Sequence, residues 1–172
     1  MKIDIIGSVA SGKTTMAAQL SEKYGIPCFE KDNIVWERTE SGDVRRPDRQ
    51  RDRLFAEILA GESWIVEGSP RACLNESFDV CDYIILLDVS TFVRLKRVFL
   101  RWIRQRKGRE RCNTAPTLAF LLDNLKWVFE FNRKKQSLIE RLSEHGDRFR
   151  VFNSQEAAIR FIESRFAPEK EN

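Results

Sequence analysis

The chain has one histidine, His145, and four cysteines, at positions 28, 73, 81 and 112, with no C-x-x-C spacing among them. This leaves no zinc-ligand set and no disulfide framework, and it predicts reduced thiols and a cytoplasmic location. His145 precedes Gly146 near an expected helix end, where it reads as a capping residue. No apolar run approaches the ~18 residues of a membrane span, and the apolar core of "MKIDIIGS" is too short for a signal peptide. There is no N-K-x-D for guanine recognition and no acidic D-x-x-G switch after the third strand, which argues against a GTPase. A motor is disfavoured because no second domain is evident to turn hydrolysis into movement. Internal repeats and low-complexity linkers are also missing.

What is present fits one domain. At 172 residues the chain can bury about 70% of its unfolded surface. Its 42% hydrophobic and 33% charged residues suit a globular protein. The net charge is +4, but Arg94 to Arg111 alone carries nine Lys/Arg against one acid, Glu110. That segment is +8, so the remainder is −4. A local basic feature sits on a mildly acidic body.

The strongest motif is "GSVASGKTT", residues 7–15, which fits G-x-x-x-x-G-K-[ST]. Its glycines allow a tight turn in which the backbone N–H groups of Gly7, Ser8, Val9, Ala10, Ser11, Gly12, Lys13, Thr14 and Thr15 can cradle phosphate. Lys13 reaches the β- and γ-phosphates, and the Thr14 hydroxyl can ligate Mg²⁺. A helix starting near Lys13 adds its positive N-terminal dipole. Val9 stands where a dinucleotide-binding G-x-G-x-x-G needs glycine, so that alternative is excluded. Nucleoside triphosphate binding follows, with ATP and Mg²⁺ as the expected cofactors.

Strands are expected at Lys2–Ile6, "IPCFE", "SWIVEG", "DYIILLD" and "DRFRVFN". The third and fourth are continuous apolar runs, as in parallel strands buried on both faces. Helices are expected from the loop to about Tyr24, from Arg45 to Ala60, from Phe92 to about Gln105, after Pro116, and from Gln155 to Phe166. Thr114 or Ala115 would precede the start of the Pro116 helix, and "APEKEN" reads as a frayed tail. The alternation predicts an α/β fold, a doubly wound parallel sheet with helices on both faces. In the post-Pro116 helix, Leu118, Leu121, Leu122, Leu125, Val128 and Phe129 form a broad apolar face. Phe120, Trp127 and Phe131 lie roughly opposite, suited to core packing on two sides or to self-association, so monomer and homodimer both stay open.

Four places bear on chemistry. Asp32 follows the second strand at the carboxyl edge, where it could bind an acceptor hydroxyl, take its proton, hold a metal-bound water, or merely cap a turn. Glu67 ends an apolar strand in the hhh[DE] pattern that orients a Mg²⁺ shell. Asp88 has the same look but is better placed to cap the next helix. Arg71 could grip an anionic acceptor group bidentately. Arg94, Arg97, Arg101 and Arg104 share one helix side, with Leu95, Val98, Phe99 and Trp102 on the other. The charge continues through "RQRKGRER" around Gly108, the layout of a lid spanning about 101–115 that closes over phosphates. A nucleic-acid-binding stripe and a solvated face are the competing readings.

With these residues in place, the sequence resembles the adenylate-kinase-like branch of P-loop kinases, and most closely the bacterial "DNA topology modulation protein" family. The resemblance spans nearly the whole chain, through "GIPCFEKDNIVW", "GESWIVEGSPR", "CDYIILLDVSTFVRLKRVFLRWIRQRKGR", "FEFNRKK" and "FRVFNSQEAAIRFI". It implies a five-stranded sheet of order 2-3-1-4-5. It also implies that "EGSPR" carries a Mg²⁺-shell acid and an acceptor-phosphate arginine onto Glu67 and Arg71. Two helix arginines, at the donor base and the phosphates, fall on Arg97 and Arg101. The chain departs from that family where "EGSP" replaces an Asp-Gly-Asn-Tyr-like stretch and "EKDNIVW" replaces "LD-x-hFW". Both departures touch the acceptor side, and a short acceptor-side segment is expected at about residues 32–61.

The expected function is therefore a Mg²⁺-dependent ATP phosphotransferase. Lys13, Asp32, Arg97 and Arg101 would carry transfer, Thr14 and Glu67 the metal, and Asp32, Glu67 and Arg71 a nucleoside, nucleotide or similar hydroxyl acceptor. The alternatives are a nucleotide-dependent DNA-binding regulator with slow ATP hydrolysis, and a degenerate kinase retained as a nucleotide-binding scaffold.

Overall fold

The amino-terminal half alternates strand and helix around the Gly7–Thr15 loop. A computed structural model describes residues 1–39, 42–110 and 115–166. Strand β1 (Lys2–Gly7) leads into helix α1 (Lys13–Tyr24), then β2 (Cys28–Glu30) and the short α2 (Lys31–Val35). A hairpin of β3 (Trp36–Thr39) and β4 (Gly42–Arg45) precedes α3 (Asp48–Ala60) and β5 (Trp64–Gly68). The second half runs α4 (Glu76–Val80), β6 (Tyr83–Leu87), α5 (Thr91–Arg106), α6 (Leu118–Ser143), β7 (Phe149–Phe152) and α7 (Gln155–Phe166).

Five strands form one parallel sheet in the order β2-β5-β1-β6-β7. Counted among the parallel strands alone this is 2-3-1-4-5, as expected. Alternation along each strand feeds two cores. Ile3, Ile5, Ile65, Ile85 and Leu87 pack on Met16, Ala17 and Leu20 of α1 and on Ala158 and Ile162 of α7. Ile6, Trp64, Val66, Ile84 and Leu86 pack on the other face against Ile34, Phe55, Phe78 and Leu142. Each such fully buried aliphatic side chain contributes about 1.5–3 kcal/mol of transfer free energy.

Several sequence expectations are corrected. Helix α3 starts at Asp48 and not at Arg45, because Pro47 takes the extended cap position and Arg45 is drawn into the hairpin. The Arg46 N–H donates to the Val35 carbonyl at 2.8 Å, tying the hairpin back to α2. The segment from 32 to 61 thus holds a hairpin that propensity did not reveal. Helix α5 is capped by the Ser90 hydroxyl, which accepts from the Val93 N–H, and not by Asp88. Asp88 instead pairs with Lys135, at 2.8 and 3.1 Å. Helix α6 begins one residue past Thr117, whose hydroxyl accepts from the Phe120 N–H at 3.1 Å.

Arg94 is not part of a surface stripe. It is buried, and its guanidinium donates to the Val89 carbonyl, Thr91 Oγ1 and Asn132 Oδ1. Phe99, placed on the packed side by its periodicity, is exposed. On α6, Leu121 and Val128 are buried, but Leu118, Leu122 and Phe129 face solvent. Cys28, Cys73 and Cys81 are free thiols. Cys112, Arg111, Thr114 and the tail from 167 to 172 lie outside the described residues, as does part of the proposed lid connection. No described helix is long and apolar enough to cross a membrane.

Candidate active site

Parallel strands ending at one sheet edge deliver their following loops to the same place, and here β1, β2 and β5 do so. The loop after β1 is held in an unusual backbone conformation, with Ala10 at φ +59° and Gly12 at φ +97°. Glycine is favoured at position 12 by its φ of +97°, and a Cβ there would also displace the end of the Gln155 side chain, 2.6 Å away at Cδ. A non-glycine residue at positive φ, such as Ala10, costs free energy that persists at functional sites. The loop wraps around Lys13, whose ammonium donates to the Ser8 carbonyl at 2.9 Å. The hydroxyls of Ser8 and Ser11 are buried there without a hydrogen-bond partner. Buried unsatisfied hydroxyls are uncommon, and these two stand together in the Gly7–Thr15 loop.

Thr14, the first hydroxyl after Lys13, donates from Oγ1 to Glu67 Oε1 at 2.8 Å. The two residues proposed from sequence to hold a metal are thus in contact. Glu67 is buried at the end of β5, on the face that carries Ile65 toward α1. Both donors are hard oxygens, suited to Mg²⁺, which takes one or two protein oxygens and keeps the rest of its shell for water and phosphate. Among the described residues no group of three or more His, Cys, Asp or Glu could enclose an ion.

Two arginines were proposed to reach the loop from α5, and they behave differently. Arg97 donates from Nη1 to the carbonyls of Ala10 and Ser11 at 3.3 and 3.2 Å. Arg101 donates to Asn124 Oδ1 of α6 at 3.0 Å. Arg104 pairs with Glu110 at 2.7 Å. Val9 and Ala10 of the loop also pack against the α5–α6 cluster of Val98, Leu121 and Val128.

Past the carboxyl ends of β2 and β5, Asp32 and Arg71 come together. Arg71 donates through Nη2 at 2.6 Å and Nε at 3.2 Å to Asp32 Oδ1. The pair is partly exposed at the sheet edge. Beneath it lies a feature that the sequence reading missed. Lys31, next to Asp32, is fully buried and donates to both oxygens of Asp4 at 2.8 Å. Asp4 also accepts from the Ser77 hydroxyl at 2.5 Å, and the Lys31 ammonium lies over the Phe78 ring at 4.8 Å. Gly68 makes room for this lysine, since a Cβ there would stand 2.7 Å from Lys31 Cβ. The ion pair fixes where α2 leaves β2 and so where Asp32 points. The only hint in sequence is a charged Asp4 inside an otherwise apolar strand. The His145 ring packs against Phe78 and Arg148 and bonds none of the proposed site residues.

Among solved structures, the chain is similar to shikimate kinase from Bacteroides thetaiotaomicron, with a TM-score of 0.55 over 94% of this chain and 96% of that one, at 15% identity. The fold is that of a P-loop kinase. No protein-family model and no curated protein matches the sequence.

Charge in this P-loop fold is held under desolvation. Burial raises the Glu67 carboxyl above its ordinary range, against the lowering effects of Lys13 and the Thr14 hydrogen bond. Burial likewise lowers the Lys13 ammonium, while Glu67 and Asp32 raise it and Arg101 lowers it further. For Glu67 the folded state holds its proton to higher pH than the unfolded state. Its contribution to stability is therefore full below the ordinary carboxylate pKa and is lost as pH rises through the raised value. Glu67→Gln should flatten that dependence, giving a melting temperature that changes less than wild type's as pH rises from the ordinary carboxylate range toward neutrality. Parallel slopes for the two proteins would contradict the assignment.

Proposed function

We propose that the chain is an ATP-dependent, Mg²⁺-requiring phosphotransferase acting on a small hydroxyl-bearing acceptor. The observation that carries this reading is the Thr14–Glu67 contact beside Lys13, with the Arg71-paired Asp32 near enough to act on the charges of both Lys13 and Glu67. The loop amides from Gly7 to Thr15 and the Lys13 ammonium hold the donor phosphates. Mg²⁺, when bound, neutralises phosphate charge, with Thr14 and Glu67 as its protein oxygens. Arg97, already on the loop, and Arg101, one turn further along α5, supply positive charge toward the transferring group. Asp32 receives the acceptor hydroxyl and orients it or takes its proton, while Arg71 binds a polar or anionic group on the acceptor. Positioning and electrostatics supply most of the rate.

The shikimate kinase likeness supports a kinase over a DNA-binding regulator, and so does the state of the arginines. Arg94, Arg97, Arg101 and Arg104 each have a partner within the chain, which leaves less of the stripe free for a phosphate backbone. The test is ADP release with ATP, Mg²⁺ and a panel of nucleosides, nucleotides and small hydroxy compounds. One acceptor should raise release well above the basal rate. With that acceptor, Asp32→Asn should lower kcat, and Arg71→Ala should raise the acceptor KM, with the ATP KM little changed. A panel in which no acceptor stimulates, or variants that alter only the ATP KM, would contradict the proposal.

A further inference from the structure

The solvent side of the α5–α6 pair carries five exposed large apolar side chains. Phe92 and Phe99 of α5 are 78% and 50% exposed, and Leu118, Leu122 and Phe129 of α6 are 63%, 64% and 57% exposed. The helices run antiparallel, since Thr91 and Arg94 bond Asn132, Arg101 bonds Asn124 and Trp102 bonds Pro116. On each helix the exposed set lies roughly a quarter-turn beyond the side that packs on the other, in the same rotational sense. For antiparallel helices that rotation leads to the same side of the pair, so the two sets form one face.

With an aromatic side chain presenting about 200 Å² and a leucine somewhat less, these five residues expose roughly 600 Å². That matches the upper end of the largest apolar patch on ordinary monomers, about 300–600 Å², and most of the roughly 800 Å² per partner in a stable interface. The α6 flank beside it alternates in sign, with Asp123, Lys126, Glu130 and Arg133 in succession. Such a flank meets an antiparallel copy of itself without a run of like charges. Leu118, Leu122 and Phe129 recur along one line of α6, with Leu125 at its edge partly buried against the chain's own Val98 and Val128, and such a line can meet its own copy about a two-fold axis.

We infer that this face is covered by a second copy of the chain, α6 packing against α6 with the aromatic residues of α5 alongside. The proposal is independent of the reaction assigned above. Arg97 reaches the Gly7–Thr15 loop from another side of α5, so a dimer through this face does not cover that loop.

Sedimentation velocity of the full chain tests it. Wild type should sediment as a dimer across the micromolar range, and Leu122→Glu/Phe129→Glu as a monomer with unchanged circular dichroism and melting temperature. Val44→Glu, an exposed apolar position on the distant hairpin, should leave the dimer intact. A wild-type monomer at every concentration would overturn the inference. A monomer that instead co-sedimented with phosphatidylserine vesicles would also do so, giving the face to a lipid surface. A Leu122→Glu/Phe129→Glu protein that stayed dimeric would place the interface elsewhere and reject this one.

Discussion

Lys13→Met is expected to lower phosphoryl transfer by about a thousandfold, the scale on which a single charge-stabilising donor acts in a closed site. Methionine keeps the length and volume of the lysine stem, so the loop around it need not collapse. The ammonium is held at a desolvation cost, as its lowered pKa reports, and removing it should not lower the melting temperature of the ligand-free protein. Its hydrogen bond to the Ser8 carbonyl is lost, one neutral acceptor against the desolvation cost of a buried ammonium. Single-turnover transfer and thermal melting of the same preparation separate the two effects. A variant that retained more than a tenth of wild-type transfer would contradict the assigned role, and one that lost activity only by unfolding would fail to support it.

The second large effect concerns stability. Lys31→Met leaves the Asp4 carboxylate buried in the sheet with only the Ser77 hydroxyl for company. Breaking a fully buried pair by removing one partner costs about 3–5 kcal/mol. For a chain of this length that corresponds to a fall in melting temperature of roughly 10 °C or more. The double variant Asp4→Val/Lys31→Met replaces both charges with apolar groups and should recover most of the loss. Valine suits a strand flanked by Ile3 and Ile5, and Ser77 keeps its bond to the Leu74 carbonyl. Urea titration of the two variants and wild type gives the answer. A single variant as stable as wild type would show that the pair contributes nothing, and a double variant no better than the single would put the cost in packing and not in charge.

The two kinds of feature differ in how far the sequence reveals them. The phosphate loop is contiguous, and its glycines, lysine and hydroxyl have fixed spacing, so Gly7 to Thr15 could be located without a fold. Glu67 was placed by the apolar strand before it, and its contact with Thr14 follows from strand order, because β5 pairs with β1. The alternation of strands and helices carried the α/β fold class, whereas the sheet order came from the family resemblance. Lys31 could not be located in that way, since its partner is 27 positions earlier and its burial depends on Gly68 and Phe78. Periodicity also misplaced Arg94 and Phe99. A helix packed on two neighbours has three kinds of face, whereas a polar–apolar pattern distinguishes only two. The β3–β4 hairpin escaped because its strands are short, polar and exposed, with no buried face to impose alternation.

The most direct measurement is calorimetric titration of the wild-type protein with ATP, with and without Mg²⁺. If the amino-terminal loop grips a triphosphate with Thr14 and Glu67 as metal oxygens, saturable heat should appear with one site per chain, and Mg²⁺ should tighten binding in wild type but not in Glu67→Gln. No heat with ATP in the presence of Mg²⁺ would contradict the central claim.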